Sequence, residues 1–360
     1  MASRTLLHIH GVEATSFLQG LLTNDVERKL SSPGEAFFCH LLNNKGRTMF
    51  EAFVATPNKG STLASTTEDG VGSYVLECHV DVMPKLMKHL KMHKLRSKVK
   101  IQSLADSHDV WWSSHGEIEN GKKEAILCSF EDPRALTLGH RTFVTKGTAS
   151  VLTCGNEEAV VGVEETEQSS VEATYNMLRI LHGALEGTEV DGVIPLEANL
   201  DWLNGVVFDK GCYLGQELTA RTHYRGLLRK RCFPVVLSVE KDENATPTVA
   251  LEISPLQAQS IAYGTLPTEE REGVKYGEST PPTGTNILNN GTKRAGKILT
   301  DTTTTSGNVG IALLRLEHVT GVATKDDGDT NAVVEVPERL LTLPVETQDG
   351  ATVVKPIRLV

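Results

Sequence analysis

Apolar residues near the start of the chain recur at two spacings, and each spacing predicts a type of element. A short apolar segment closed by residues 8–11 predicts a strand. Phe17, Leu18, Leu21 and Leu22 then recur at helical spacing. The chain is therefore predicted to begin with a strand followed by an amphipathic helix.

A polar turn at residues 43–47 separates two strand-like segments, 36–42 and 48–55, and this pattern predicts a hairpin. Further apolar patterns predict a strand at 73–77, a helix at 82–95, a strand at 98–101 and a helix at 171–185. Pairs of strands between single helices favour an α+β fold with antiparallel sheets over a doubly wound parallel sheet.

The C-terminal third alternates short apolar runs with turns rich in Gly, Pro and Thr, which predicts a small β-barrel. The apolar runs are 233–239, 298–299, 309–316 and 333–336. Segments 242–296 and 300–308 are rich in Thr, Pro, Glu and Gly with little periodicity. We expect parts of these two segments to be surface loops.

Composition narrows the classes of function. The 360 residues carry a net charge of −10, so attraction of the whole surface to nucleic acid or to an anionic membrane is not expected. No apolar run reaches the roughly 18 residues needed to span a bilayer. Because no glycine-rich dinucleotide fingerprint or phosphate loop occurs, neither a dehydrogenase nor a nucleotide hydrolase is expected.

The six cysteines are widely spaced and form no Cys-x-x-Cys pair; they are Cys39, Cys78, Cys128, Cys154, Cys212 and Cys232. This spacing argues against a disulfide scaffold and fits a reducing compartment. Residues 1–7 contain one arginine and lead straight into patterned sequence, so no targeting segment is expected there.

Cys212 is the cysteine whose surroundings favour chemistry. It lies among glycines and polar residues, with Lys210 two positions earlier, and a nearby cation favours the reactive thiolate. Gly211 and Gly215 would allow a tight bend, and residues 216–221 could begin a helix. The alternative is that Cys212 is one more buried apolar residue.

Five cations lie in a segment, 218–239, that contains no acidic residue: Arg221, Arg225, Arg229, Lys230 and Arg231. They could bind an acidic protein surface or a polyglutamate tail, or they could form a solvated linker into the barrel.

The sequence gives less support for a functional role of two histidine pairs and one tryptophan pair. His8 and His10 share a strand face but have no third metal ligand nearby in the sequence. His89 and His93 lie among lysines, which favours a solvated helix face. Trp111 and Trp112 are expected to pack in the core or at a domain interface.

Residues 210–217 read Lys-Gly-Cys-Tyr-Leu-Gly-Gln-Glu. This block resembles the signature Lys-Gly-Cys-Tyr-x-Gly-Gln-Glu of the YgfZ/GcvT family, in its branch of mitochondrial iron–sulfur cluster assembly factors. The family is more distantly related to the aminomethyltransferase of the glycine cleavage system. Further similarity runs through 17–25, 42–47, 95–99, 132–134, 194–200, 218–223, 229–231 and 310–316.

The resemblance implies three domains arranged as a ring around a central opening. Residues 1–50 and 105–232 would form an α+β domain that carries the Cys212 loop, residues 51–104 an interleaved α+β domain, and residues 233–360 the β-barrel. This chain differs from the transferase branch at two places. The segment 46–51, which ends at Glu51, has no clear counterpart of that branch's catalytic aspartate. Leu181 stands where that branch has the glutamate that holds the pterin ring. One-carbon transfer is therefore disfavoured.

As an assembly factor of this family, the protein would act with an A-type carrier in the maturation of four-iron four-sulfur proteins. Cys212 would be a ligand of a cluster shared with the partner, beside Lys210. The remaining signature positions implied in binding are Gly211, Tyr213, Gly215, Gln216, Glu217 and Arg221. One alternative is a tetrahydrofolate-dependent transferase with Cys212 as nucleophile; another is a scaffold without catalysis. The resemblance implies the mitochondrial matrix, with the cytoplasm as the alternative for a bacterial-type protein.

Overall fold

The computed structural model describes residues 1, 3–63, 72–113, 118–120, 125–147, 152–154, 165–239, 252–253, 286–289, 293–304, 307–316, 343–345, 352–356 and 358–359. The chain forms two compact units. The first contains Met1–Glu172, Glu186–Pro195 and Leu200–Arg221. The second contains Ala173–Leu185, Leu196–Asn199 and Thr222–Val360.

An antiparallel five-stranded sheet with order β2-β3-β4-β1-β5 dominates the first unit. Its strands are β1 (Arg4–Gly11), β2 (Ala36–Leu42), β3 (Thr48–Ala55), β4 (Gly72–His79) and β5 (Lys100–Ser103). The helices between these strands are α1 (Ala14–Gln19), α2 (Val26–Lys29) and α3 (Met83–Lys94). The predicted opening strand and helix, the hairpin and the helix near 82–95 are confirmed.

A second, three-stranded antiparallel sheet has the order β6-β9-β8. The strands of this region are β6 (His108–Ser113), β7 (Ile118–Asn120), β8 (Ile126–Glu131), β9 (His140–Thr145) and β10 (Leu152–Cys154), of which β7 and β10 pair with each other. Short 3₁₀ turns cover Leu136–Leu138 and Gly187–Val190.

The strands β1 to β4 of the five-stranded sheet are buried on both faces, whereas the edge strand β5 is largely exposed. One face packs on α1 and α3 through residues such as Leu7 and Leu86. The other contacts the three-stranded sheet through residues such as Leu6, Val75 and Phe143. Because side chains alternate along a strand, the neighbours Leu6 and Leu7 serve different cores.

A fully buried charge cluster lies on the second of these faces. Strand alternation places Arg4, Glu51 and Glu77 there, where Arg4 contacts Glu51 at 2.7 Å and Glu77 at 2.6 Å. The cluster also contains Asp132, Arg134, Arg141 and Glu186, and all seven side chains are at most 5% exposed. The rings of Phe38 and Phe53 lie under its guanidinium groups.

The second unit contains a closed barrel with strand order β11-β15-β14-β13-β16-β17. The strands of this unit are β11 (Lys230–Val239), β12 (Glu252–Ile253), β13 (Asn286–Asn289), β14 (Lys293–Thr304), β15 (Gly307–Arg315), β16 (Leu343–Val345), β17 (Thr352–Pro356) and β18 (Arg358–Leu359), with β12 parallel to β18. The barrel interior includes Val235, Ile298 and Ile311, all completely buried. The predicted α+β fold with a C-terminal barrel is confirmed.

Several predicted bounds were wrong. Helix α4 covers Glu165–Leu181, earlier than the predicted 171–185, because Gly183 with φ of +63° ends it. Within segment 300–308, the described residues are strand and not loop: β14 continues to Thr304 and β15 begins at Gly307. The strand predicted at 333–336 lies outside the described residues.

The predicted domain boundary at residue 50 falls within the five-stranded sheet. Strand β1, from the segment 1–50, pairs on one side with β4 and on the other with β5, which both belong to 51–104. A boundary at residue 50 would therefore divide one hydrogen-bonded sheet. The arrangement of three domains around a central opening stays a prediction.

Candidate functional site

The signature loop is held against the β2–β3 hairpin by two glycines. Gly215 has φ of +79°, and a Cβ atom there would lie 2.4 Å from the carbonyl oxygen of Asn43. Gly46, at φ of +75°, faces it, and a Cβ atom on Gly46 would lie 2.5 Å from the Cβ atom of Leu218. Both positions therefore require glycine, because the two segments approach too closely for a side chain.

The hairpin turn is itself fixed by Asn43. Its side-chain oxygen accepts hydrogen bonds from the backbone N–H groups of Lys45 at 2.9 Å and Arg47 at 3.1 Å. On the other side of the signature loop, the N–H of Leu214 donates to the carbonyl of Gly20 at 2.9 Å. The loop thus lies between two segments that are far away in the sequence.

Between these segments is a groove of about 720 Å³ that contains Cys212. It is lined by Gly20, Leu21, Asn44, Lys45, Gly46, His93, Cys212, Tyr213, Leu214, Gly215, Gln216, Glu217, Leu218 and Arg221. Cys212 is exposed, whereas Cys39, Cys78, Cys128 and Cys232 are all buried. The exposed thiol expected from the sequence is present, and the groove gives it room for a ligand.

Lys210 has contacts that the sequence did not predict. Its ammonium group donates three hydrogen bonds of 2.8 Å to the carbonyls of Gln19, Leu22 and Asn24. It also lies 5.0 Å from the centre of the Tyr213 ring. Burial lowers its pKa to about 8. The three bonds use all three ammonium protons, so Lys210 connects the signature loop to the end of α1 and to the chain that follows it.

The other signature residues divide into anchoring and groove-lining groups. Gln216 begins helix α5 (Gln216–Arg225), and its side-chain oxygen accepts from the N–H of Tyr213 at 3.1 Å. Burial raises the pKa of Tyr213 to about 12. Glu217 and Arg221 are exposed at the groove. Gly211 has open space around its Cα, so the bend does not need a glycine there.

Most of the cationic segment lies in regular elements, and Arg229 lies in the short connection 226–229 between α5 and β11. Arg221 and Arg225 lie on α5, and Lys230 and Arg231 lie on β11. Arg231 is buried and donates to the carbonyl of Leu196 at 3.2 Å. The exposed charges therefore come from a helix and from the residues that follow it.

The prediction that His89 and His93 lie on a solvated helix face was wrong. His89 is only 5% exposed and packs edge-on against Phe50. Its ring centre lies 4.3 Å from that of His93, which is half-buried and lines the groove. The lysines around this pair had suggested solvent, but helix rotation turns the two histidines towards the protein.

The remaining candidates behave as packing residues. His8 and His10 stack with ring centres 4.4 Å apart, and His8 hydrogen bonds to Ser73. Trp112 is buried and donates to the carbonyl of Leu138 at 2.6 Å. Among the described residues there is no group of three or more metal-ligating side chains.

The two positions that differ from the transferase branch are both inaccessible. Glu51 is completely buried and ion-paired with Arg4, and its Oε1 also accepts from the N–H of Gly187. Leu181, at the end of α4, is 1% exposed. No helix within the described ranges has the length and apolar character needed to cross a membrane.

Solved structures define the class of fold. The aminomethyltransferase T of the glycine cleavage system from Bartonella henselae superposes with a TM-score of 0.56, covering 99% of this chain and 83% of that protein at 10% identity. At this identity the likeness concerns the fold. Residues 229–340, which include β11, match the family described as the CAF17 C-terminal beta-barrel domain.

Proteins with similar sequences define the family of this chain. The mitochondrial iron–sulfur cluster assembly factor IBA57 homolog of Neosartorya fischeri is 34% identical over 98% of this chain and 77% of the relative. The corresponding factor of Mus musculus is 31% identical over 88% of this chain and 77% of the relative. The chain belongs to the IBA57 family of iron–sulfur cluster assembly factors.

Proposed function

We propose that this protein is an iron–sulfur cluster assembly factor in which Cys212 is a ligand of a cluster held jointly with a partner protein. The observation that carries the proposal is the exposure of Cys212 in a groove, in contrast to four buried cysteines. A thiolate is the ligand that iron–sulfur clusters prefer. The cluster is the cargo of the reaction, not a resident group.

One cysteine cannot hold a cluster, so the partner must supply further ligands. We propose an A-type carrier as this partner, acting in the maturation of four-iron four-sulfur proteins. The exposed cations Lys45 and Arg221 at the groove would attract an acidic partner surface. Because the relatives are named mitochondrial, the proposed location is the mitochondrial matrix.

The rigidity of the loop supports this role. Gly215 against the hairpin turn and Lys210 on three carbonyls hold the backbone on either side of Cys212. A pre-positioned ligand loses little conformational entropy when a cluster binds. Lys210 therefore acts in the proposal as a positioning residue for the thiol.

Anaerobic reconstitution of the protein with the carrier, iron and sulfide tests the proposal. We expect a visible absorption and circular dichroism spectrum from the mixture that neither protein gives alone, and its loss in Cys212→Ser. The matched control is Cys78→Ala, which removes a buried thiol and should keep the spectrum. An unchanged spectrum in Cys212→Ser would exclude the thiol as a ligand.

A second candidate is a tetrahydrofolate-dependent transferase with Cys212 as nucleophile, which the aminomethyltransferase-like fold favours. The burial of Glu51 in ion pairs and the leucine at position 181 oppose it. Calorimetry with tetrahydrofolate separates the two candidates, since an enzyme of this kind must bind its folate. A scaffold without a cluster ligand is the remaining outcome if neither folate nor cluster binds.

A further inference from the structure

His93 and Cys212 line one groove although 119 positions separate them in the sequence. His93 lies in the last turn of α3, and Cys212 lies before α5. Histidine is, after cysteine, a common protein ligand of iron–sulfur clusters, and it replaces cysteine in one class of two-iron centre. The groove therefore presents two side chains of ligand type.

The hydrogen bonding of His93 decides which ring nitrogen is available. Nδ1 lies 2.9 Å from the carbonyl oxygen of His89. A carbonyl oxygen can only accept, so Nδ1 carries the hydrogen and donates it. In the neutral ring Nε2 then has the lone pair. Metal-binding histidines commonly have this arrangement, in which the other ring nitrogen donates to a backbone carbonyl.

Packing holds the ring in place. The His89 ring lies against it at 4.3 Å, and His89 is in turn fixed by Phe50. Within the described part of the chain, no hydrogen bond or ion pair engages Nε2 of His93.

We infer that His93 is the second ligand that this chain contributes to the shared cluster, through Nε2, with Cys212 as the first. The inference rests on the proposed function and deepens it. It assigns the protein a mixed sulfur and nitrogen ligand pair, with the partner completing the set. One Fe–S and one Fe–N bond form as two ligands of the incoming cluster leave. The proton of the Cys212 thiol passes to the departing ligand or to water, and neither exchange requires an oxidant or a reductant.

Pulsed electron paramagnetic resonance of the reduced cluster, with ¹⁵N-histidine in this chain only, tests the inference. We expect a strongly coupled histidine nitrogen in the complex and its loss in His93→Gln. Cluster affinity should fall about tenfold or more, because even residues that only orient a ligand contribute that much. The matched control is His140→Gln, which makes the same change on β9, outside the groove.

His93→Cys is a second variant, which keeps the inference testable if His93→Gln binds no cluster. It should bind the cluster without nitrogen coupling and with a lower reduction potential, since histidine ligation raises the potential relative to cysteine. A cluster that needs Cys212 but has no histidine coupling in the unmodified protein would overturn the inference and leave the proposed function intact. If the cluster binds equally well to the Cys212→Ser variant, the proposed function itself is overturned.

Discussion

Gly211 and Gly215 lie in one loop but have different structural requirements. Gly215 has a positive φ and faces the hairpin backbone, whereas a Cβ atom on Gly211 would have no heavy atom within 4 Å. The position of Cys212 therefore depends on the second glycine. Lys210 adds the other restraint, through three carbonyl contacts.

We expect Gly215→Ala to lower the free energy of unfolding by about 2 kcal/mol or more, from backbone strain and the contact with the Asn43 carbonyl. Gly211→Ala should change it by less than about 0.5 kcal/mol, because the added methyl group meets nothing. Urea unfolding followed by circular dichroism measures both. Equal effects of the two substitutions would contradict the described loop.

At the scale of elements, the buried charge cluster connects strands from both sheets of the first unit. Arg141 on β9 pairs with Glu77 on β4 and, at 3.0 Å, with Asp132. Arg4 on β1 pairs with Glu51 on β3. Such pairs add little net stability over an apolar core, but removing one member leaves a buried charge without its partner. The cluster therefore specifies how these strands face each other.

Arg141→Met should destabilise the protein by about 3 to 5 kcal/mol, because Glu77 and Asp132 would remain buried without their shared cation. The control is Arg28→Met. Arg28 pairs with Asp209 at 2.9 Å at the surface, so its loss should have little effect. Thermal unfolding at low and high salt compares them, and a salt-sensitive loss in Arg141→Met would indicate an exposed pair.

At the scale of the whole molecule, buried histidines determine how stability depends on pH. Burial lowers the pKa of His8 to about 4, of His40 to about 3 and of His89 to about 4. Burial alone would raise the pKa of Asp132, but Arg134 and Arg141 lower it. Between about pH 6.5 and 4 the unfolded chain thus binds protons at histidines that remain neutral in the folded protein.

Stability should therefore fall as the pH decreases from about 6.5 to 4, by up to about 1.4 kcal/mol per pH unit for each such histidine. The lowered pKa of Asp132 adds a further loss only at more acidic pH. Urea unfolding at several pH values measures the slope. In His8→Asn the slope should be smaller by the contribution of one proton, and an unchanged slope would show that His8 takes no part.

Particular residues show where sequence patterns succeed. The hairpin Ala36–Leu42 and Thr48–Ala55 was predicted with its bounds, because local alternation and turn residues define a hairpin. Segment 300–308 was expected to contain part of a surface loop, because of its low periodicity and its threonines at 300 and 302–304. They form the end of β14 because β-branched side chains suit a strand that pairs along its length with β15.

The family, the α+β and barrel character of the chain, and Cys212 as the candidate ligand could all be predicted from the amino-acid sequence, since they depend on local spacing and a contiguous signature. The folded structure was needed to show that Cys212 is exposed in a groove, that Lys210 donates hydrogen bonds to three carbonyls, and that His93 lines the same groove as the thiol. The physical reason is that the groove is assembled from segments 20–21, 44–46 and 212–221 with the end of α3. Proximity across such separations is a property of packing, which no local pattern encodes.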